Sequence, residues 1–261
     1  LHQEEIGRSN RPSDLKIVYF YASKKKDMKN IILASTSTLH GESYLTYLEK
    51  EITQLFQNTK EIIFIPYARP SGISHEEYTQ KASVFFNQID LKIKGLHTFE
   101  NPEIALQQAQ GIFTGGGNTF LLVKTLHELN LMTSLKNVIL KGTPYLGTSA
   151  GSNIVGLSMQ TTNDMPIVYP PSFQTLGCVP FQLNPHYLDP IEGKHMGETR
   201  ETRIKEFHAF NSAPVVGLRE GNWIEVKGTQ MFLRGNENTR IFKQGKEAVE
   251  LPPNTDISNL K

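Results

Sequence analysis

The residues best suited to do chemistry in this chain are a serine set between two glycines and the histidines able to take its proton. Gly147-Thr148-Ser149-Ala150-Gly151 follows the apolar pair Tyr145-Leu146 and precedes a segment able to continue as a helix. This is the spacing of a nucleophile elbow, a sharp strand-to-helix turn that lifts one side chain out of a sheet. Glycine on either side lets neighbouring backbone pass close by. The amide end of the following helix would point at the place where an oxyanion forms. The same residues could simply join a strand to a helix, with Ser149 as an N-cap. A serine hydroxyl is a weak nucleophile without a base and oxyanion donors. For donors, Gly115-Gly116-Gly117-Asn118 lies upstream between an apolar run and a helical pattern, so the amides of Gly116, Gly117 and Ala150 are the candidates. A phosphate cradle is the rival use of such a loop, but neither a Gly-Lys-Ser/Thr ending nor a Gly-x-Gly-x-x-Gly spacing is present.

Eight histidines are available as base. His186, in Asn184-Pro185-His186-Tyr187, follows a short apolar stretch and a proline that fixes its approach; His195 stands in the polar loop Glu192-Gly193-Lys194-His195. His40, His75, His97, His127 and His208 fall in or beside helical and strand patterns, and His2 is in the N-terminal tail. A carboxylate must hold the imidazole in the right tautomer. Glu220 qualifies because it closes the apolar run Val215–Leu218, while Asp164 and Asp189 are rivals in loops near the histidine. The chain lacks the His-x-x-x-His, cysteine-pair and carboxylate-rich spacings of metal sites, so no metal or cofactor is expected.

Apolar runs and helical spacings alternate around these motifs. Strands are expected at Asn30–Ser35, Glu61–Pro66, Leu91–Leu96 and Gly111–Thr114, with helices over Tyr44–Phe56, His75–Asn87, Asn101–Gln110 and Thr119–Leu129. That rhythm predicts a mostly parallel α/β sheet sandwiched between helices, a three-layer arrangement. Sites in such sheets gather outside the carboxyl ends of the strands, where both glycine clusters fall. Beyond Ser149 the pattern changes. Thr161–Pro185 is a loop-rich stretch with short extended pieces such as Ile167-Val168, Glu198–Phe210 is helical, and Trp223–Ile241 alternates as a small antiparallel meander turning at Lys227–Gln230.

The 261 residues carry a net charge of +1, with 38% hydrophobic and 20% charged residues, so no strong field argues for nucleic acid or an anionic membrane. No run approaches the roughly 20 apolar residues of a membrane span. The single cysteine, Cys178, excludes an intrachain disulfide and suits a buried strand thiol in a reducing compartment. Residues 1–29 are expected to be an N-terminal extension without a catalytic role, and 30–261 a single α/β domain.

Several segments together resemble the peptidase E (α-aspartyl dipeptidase) family: Thr114–Phe120, Gly147–Asn153, Thr162–Val168, Asn184–Tyr187, Gly197–Ile204 and Glu220–Trp223, in that order. The resemblance implies a class I glutamine amidotransferase-like fold and a Ser-His-Glu triad falling on Ser149, His186 and Glu220, with Asp164 the alternative acid. It implies a small peptide substrate with an N-terminal aspartate. A planar bidentate donor would best hold that side chain, and Arg200 and Arg203, three apart on one helix, are the candidates, beside Asn118 and Asp164 as further substrate ligands. A cytoplasmic homodimer is implied too. Three readings stand beside it: a cyanophycinase-like β-aspartyl peptidase, an α/β-hydrolase esterase, and a non-catalytic binder of acidic amino acids.

Overall fold

The structure, a computed structural model, describes residues 28–189 and 197–261. Two sheets organise it. The larger has seven strands in the order β3-β2-β4-β5-β1-β8-β9, comprising β1 (Asn30–Ala34), β2 (Glu61–Ile65), β3 (Lys92–Gly95), β4 (Ile112–Thr114), β5 (Tyr145–Thr148), β8 (Trp223–Lys227) and β9 (Gln230–Arg234). The first five run parallel, and β8 joins β1 antiparallel. The smaller sheet is β11-β10-β7-β6, from β6 (Gln182–Pro185), β7 (Val215–Leu218), β10 (Thr239–Phe242) and β11 (Val249–Leu251).

Alternate side chains of the central strands enter opposite cores, because successive residues of a strand face opposite ways. Ile32, Ala34, Ile62 and Phe64 pack with Leu48 and Ile52 beneath α1 (Glu49–Leu55) and with Tyr78 and Phe86 of α2 (His75–Gln88). Ile31, Leu33, Ile63 and Ile65 pack on the other face with α3 (Pro102–Gln108), α4 (Thr119–Glu128) and α5 (Met132–Leu140), and the smaller sheet's Leu183 and Val216 join the same core. The three layers thus follow from strands that are apolar on both faces. A third cluster, Tyr187, Ile204, Val215 and Phe242, seats α7 (Arg200–Phe210) on the smaller sheet.

The departures from the sequence pattern are local. The first expected helix begins instead as a 3₁₀ turn over Thr46–Leu48, after Leu45 at φ +62°. Trp223–Ile241 does not stay together: the β8–β9 hairpin, turning on Gly228 at φ +61°, extends the large sheet, while β10 crosses to the small one. Asn222 anchors that division, its amide bonding Glu237 N–H at 3.0 Å and Glu237 C=O at 2.6 Å. Ile167-Val168 forms no strand, and Cys178 is buried in the loop before β6 rather than in a strand.

On either side of Ser149 two glycines leave no room for a side chain. A Cβ on Gly151 would lie 2.1 Å from the Thr114 carbonyl oxygen, and one on Gly147 would lie 2.5 Å from that of Gly151. Both obstructions are backbone, so relief requires the helical turn that carries Gly151 to move away from β4 and β5. Gly151→Ala is therefore expected to destabilise the protein by about 1–3 kcal/mol or more through overpacking. Urea unfolding measures this, and a variant within roughly 0.5 kcal/mol of wild type, the range of an uneventful surface change, contradicts it.

Candidate active site

Strand β5 ends between its two parallel neighbours, with Thr114 of β4 opposite Gly147 and Ala34 of β1 opposite Thr148. Ser149 is the next residue, at φ +52° and ψ −111°. Such a conformation is sparsely populated by non-glycine residues and persists only where surroundings enforce it. Ser149 N–H donates to Ala34 C=O at 3.1 Å, and the buried Ser152 hydroxyl lies 2.7 Å from that oxygen and 2.8 Å from Gly147 C=O. Helix α6 behind the turn is one turn long, Ala150–Asn153, so local N–H groups rather than a macrodipole face the site. The Ser149 hydroxyl caps nothing. It meets His186.

His186 Nε2 lies 2.9 Å from Ser149 Oγ, and its Nδ1 lies 2.6 Å from Glu220 Oε1. A carboxylate only accepts, so Nδ1 carries the proton and Nε2 accepts from the serine hydroxyl. His186 too has positive φ, +54°. Its N–H donates to Ser35 Oγ at 2.8 Å, the Ser35 hydroxyl donates to Leu218 C=O at 2.7 Å, and Asn163 donates to Pro185 C=O at 2.7 Å. The histidine turn is thereby tied to the end of β1, to β7 and to the Thr161–Met165 loop. Of the rival carboxylates, Asp189 is bound to Arg219, and Asp164 Oδ2 accepts from Thr119 N–H at 2.7 Å and the Thr162 hydroxyl at 3.0 Å. The rival base, His195, lies outside the described residues.

The glycine turn after β4 presses against the serine. A Cβ on Gly116 would sit 3.0 Å from Ser149 Cβ, and one on Gly117, at φ +144°, would sit 2.3 Å from the Ala68 carbonyl oxygen. Tyr78 Oη steadies the turn by donating to Gly116 C=O at 3.1 Å. The N–H groups of Gly116, Gly117 and Ala150 have no acceptor among the described residues. Asn118 is engaged internally: its side chain caps α4 by accepting from Leu121 N–H at 3.1 Å and donates to Met165 C=O at 2.8 Å.

A small cleft opens beside the hydroxyl, lined by Thr119, Asn153, Asp164 and His186 among others. Arg200 stands near it, half-buried. Burial and the neighbouring Arg203 lower its guanidinium below the usual range, while the Asp164 charge works the other way. It pairs with no carboxylate among the described residues. Arg203, in contrast, is exposed and pairs with Glu198 at 3.6 Å. The two arginines share a helix but not an environment. No cluster of metal-ligating side chains occurs among the described residues.

Arg219, next to Glu220, braces the histidine and glutamate loops. All five of its donors are engaged: two meet Asp189 at 2.8 and 2.7 Å, two meet Glu250 at 2.9 Å each, and Nη1 also meets Asn238 C=O at 2.5 Å. Its guanidinium lies 5.4 Å from the Tyr187 ring centre. Glu250 also receives Arg240 at 3.1 Å, and Arg240 holds Glu201 of α7 at 2.8 Å. These bonds to Arg219 hold the Asp189 and Glu250 carboxyls below their ordinary range. Ser35, Asn163 and Arg219 were absent from the sequence-derived candidates; a hydroxyl closing a fully buried strand was the one local hint, at Ser35.

The profile of peptidase family S51 matches residues 31–234. A Drosophila melanogaster protein named probable alpha-aspartyl dipeptidase is 43% identical over 236 residues, 89% of this chain and 97% of its own. Peptidase E of Streptomyces coelicolor is 42% identical, over 88% of this chain and 94% of its own. Among solved structures, a peptidase from an acI-B1 actinobacterium superposes with a TM-score of 0.65 at 18% identity, covering 89% of this chain and 98% of that one. A putative peptidase E from Listeria monocytogenes gives 0.59 at 21%, covering 80% and 98%. These last two bear on fold alone.

The ionic brace has a pH signature. Asp189 and Glu250 titrate lower when folded than unfolded, so their contribution is complete above the ordinary carboxylate range and fades as pH falls through the lowered values. Arg219→Gln should cost about 1–2 kcal/mol at pH 7, partial exposure of Asp189 screening some of the effect. The gap to wild type should narrow below about pH 4 in urea unfolding. A gap independent of pH would contradict the brace.

Proposed function

The chain belongs to peptidase family S51, and on that premise we propose that it is a serine exopeptidase releasing N-terminal aspartate from dipeptides through an acyl-enzyme on Ser149. That it is a dipeptidase follows from the family and from relatives above 40% identity, which do not favour a cyanophycinase-like or a non-catalytic reading. The observation that carries the mechanism is the continuous hydrogen-bonded chain Ser149–His186–Glu220.

In the proposed reaction, Ser149 Oγ attacks the peptide carbonyl as His186 Nε2 takes its proton, and Glu220 stabilises the resulting imidazolium. The oxyanion is received by the N–H of Ala150 and those of Gly116 and Gly117, donors worth about 3–4 kcal/mol each in comparable sites. His186 then protonates the leaving amine, and water, activated by the same imidazole, releases aspartate. Pre-positioning matters because a half-exposed pair such as His186 and Glu220 gains little from charge alone; the orientation of the ring is what the surrounding bonds secure. For the substrate, Arg200 would take the β-carboxylate, its guanidinium being half-buried and in no ion pair among the described residues. Asp164 lines the cleft with Oδ1 uncommitted among the described residues, and would take the α-amine. Arg203 is left out, since Glu198 already holds it.

The family resemblance also carries the proposal of a cytoplasmic setting, with which the lone buried Cys178 agrees. It carries that of a homodimer as well, for which sedimentation is the test.

Asp-Leu, Asn-Leu and Leu-Leu compared side by side test the specificity. Wild type should prefer Asp-Leu by at least tenfold in kcat/KM. Arg200→Ala should lower Asp-Leu cleavage by roughly 10- to 100-fold, the loss of a charged hydrogen bond, with a far smaller effect on Asn-Leu. Equal losses on both substrates would remove Arg200 from the site.

A further inference from the structure

Arg203, Arg219, Arg234 and Arg240 each face a carboxylate. Arg69 and Arg200 do not, among the described residues. Arg69 is half-buried, and its Nε is buried without an acceptor. That Nε–H has lost hydration without an acceptor, which is costly unless an anion arrives. Its position is defined by a chain of contacts. The guanidinium lies 4.9 Å from the Tyr78 ring centre, Tyr78 Oη bonds the Gly116 carbonyl, and Gly116 abuts Ser149. The preceding residue, Ala68, accepts from Asn118 N–H at 2.7 Å, which ties the Arg69 backbone to the same glycine turn.

Topology puts this arginine on the opposite side of the serine from the base. Arg69 lies beyond the end of β2, which is separated from β5 by β4, whereas His186 is tied to Ser35 beyond the end of β1, on the other flank of β5. Two strand spacings are about 10 Å. A dipeptide attacked at Ser149 presents its C-terminal carboxylate one residue beyond the scissile carbonyl. An approach of ~3 Å, an extended residue of ~3.5 Å and a charge-assisted bond of ~2.8 Å cover a comparable span.

From this juxtaposition we infer that Arg69 binds the free α-carboxylate of the leaving amino acid, so that the two unpaired arginines hold the two carboxylates of an aspartyl dipeptide from opposite sides of the nucleophile. The inference rests on the proposed cleavage at Ser149, and it gives the chain a reason to act on dipeptides rather than on longer peptides. Tyr78 serves as the platform: it orients the guanidinium by its ring and the oxyanion turn by its hydroxyl.

The test compares Asp-Leu with Asp-Leu amide, which differ only in the terminal charge, in wild type, Arg69→Gln, Arg69→Ala and Arg69→Lys. Wild type should favour the free acid by roughly 10- to 100-fold in kcat/KM, the fold-change expected of a charged hydrogen bond. Gln and Ala should narrow that ratio to within about threefold, and Lys should keep part of it. If the Arg69 variants lower both substrates equally, Arg69 only supports Tyr78 and the inference is overturned. If wild type cleaves acid and amide alike, the subsite is absent while Asp-X cleavage stands; if it cleaves neither, the proposed function fails and this inference with it.

Discussion

Everything at the site depends on holding one serine in a backbone conformation it would not choose. At φ +52° Ser149 carries a strain of order 1–3 kcal/mol. That cost is borne because β4, β5 and β1 converge on the turn from both sides: Gly147 and Gly151 leave no room for a Cβ, and two hydroxyls fasten the crossing. Ser152 reaches Ala34 and Gly147, while Tyr145 Oη donates to Gly151 C=O at 2.7 Å. The turn aims Oγ at the imidazole instead of at the helix it precedes. A hydroxyl left to cap α6 would have satisfied one N–H and left the imidazole Nε2 without its partner.

The second constraint is that the histidine comes from a different sheet. His186 and Glu220 follow β6 and β7, which pair with each other, whereas Ser149 follows β5 of the large sheet. The Ser35 hydroxyl bridges the two, accepting from His186 N–H while donating to Leu218 C=O. Around the outside, Arg219, Glu250, Arg240 and Glu201 form an alternating series of charges from the histidine loop to α7. Individually, such pairs near solvent contribute little. As a network with every Arg219 donor engaged, they fix the geometry of the loops that carry His186 and Glu220 and of the helix that carries Arg200.

Much of this was legible along the chain because it is local. Glycine spacing marked the turn at Ser149, apolar runs marked the parallel strands, and a carboxylate closing such a run put Glu220 beside Asp164 and Asp189 among the candidates. What escaped is what joins distant segments. Ser35 and His186 are 151 residues apart, and nothing near either announces the other. The Asn118 motif position looked like a substrate ligand, yet its side chain caps a helix and holds the Met165 loop. Arg203 matched Arg200 in spacing, but Glu198 captures only Arg203, which is exposed where Arg200 is half-buried. The C-terminal meander split between two sheets because Asn222 is buried against Glu237 and Asn238, a tertiary contact that alternation cannot report.

Activation of Ser149 by His186 is the step on which the proposed chemistry rests. Labelling with a fluorophosphonate, followed by mass spectrometry of the modified peptide, reads this directly and requires no knowledge of the substrate. Wild type should acquire a single adduct on Ser149, and His186→Ala should form it about 10²- to 10⁴-fold more slowly, the usual range for loss of a general base. Adducts on another residue, or an unaltered labelling rate in His186→Ala, would contradict it.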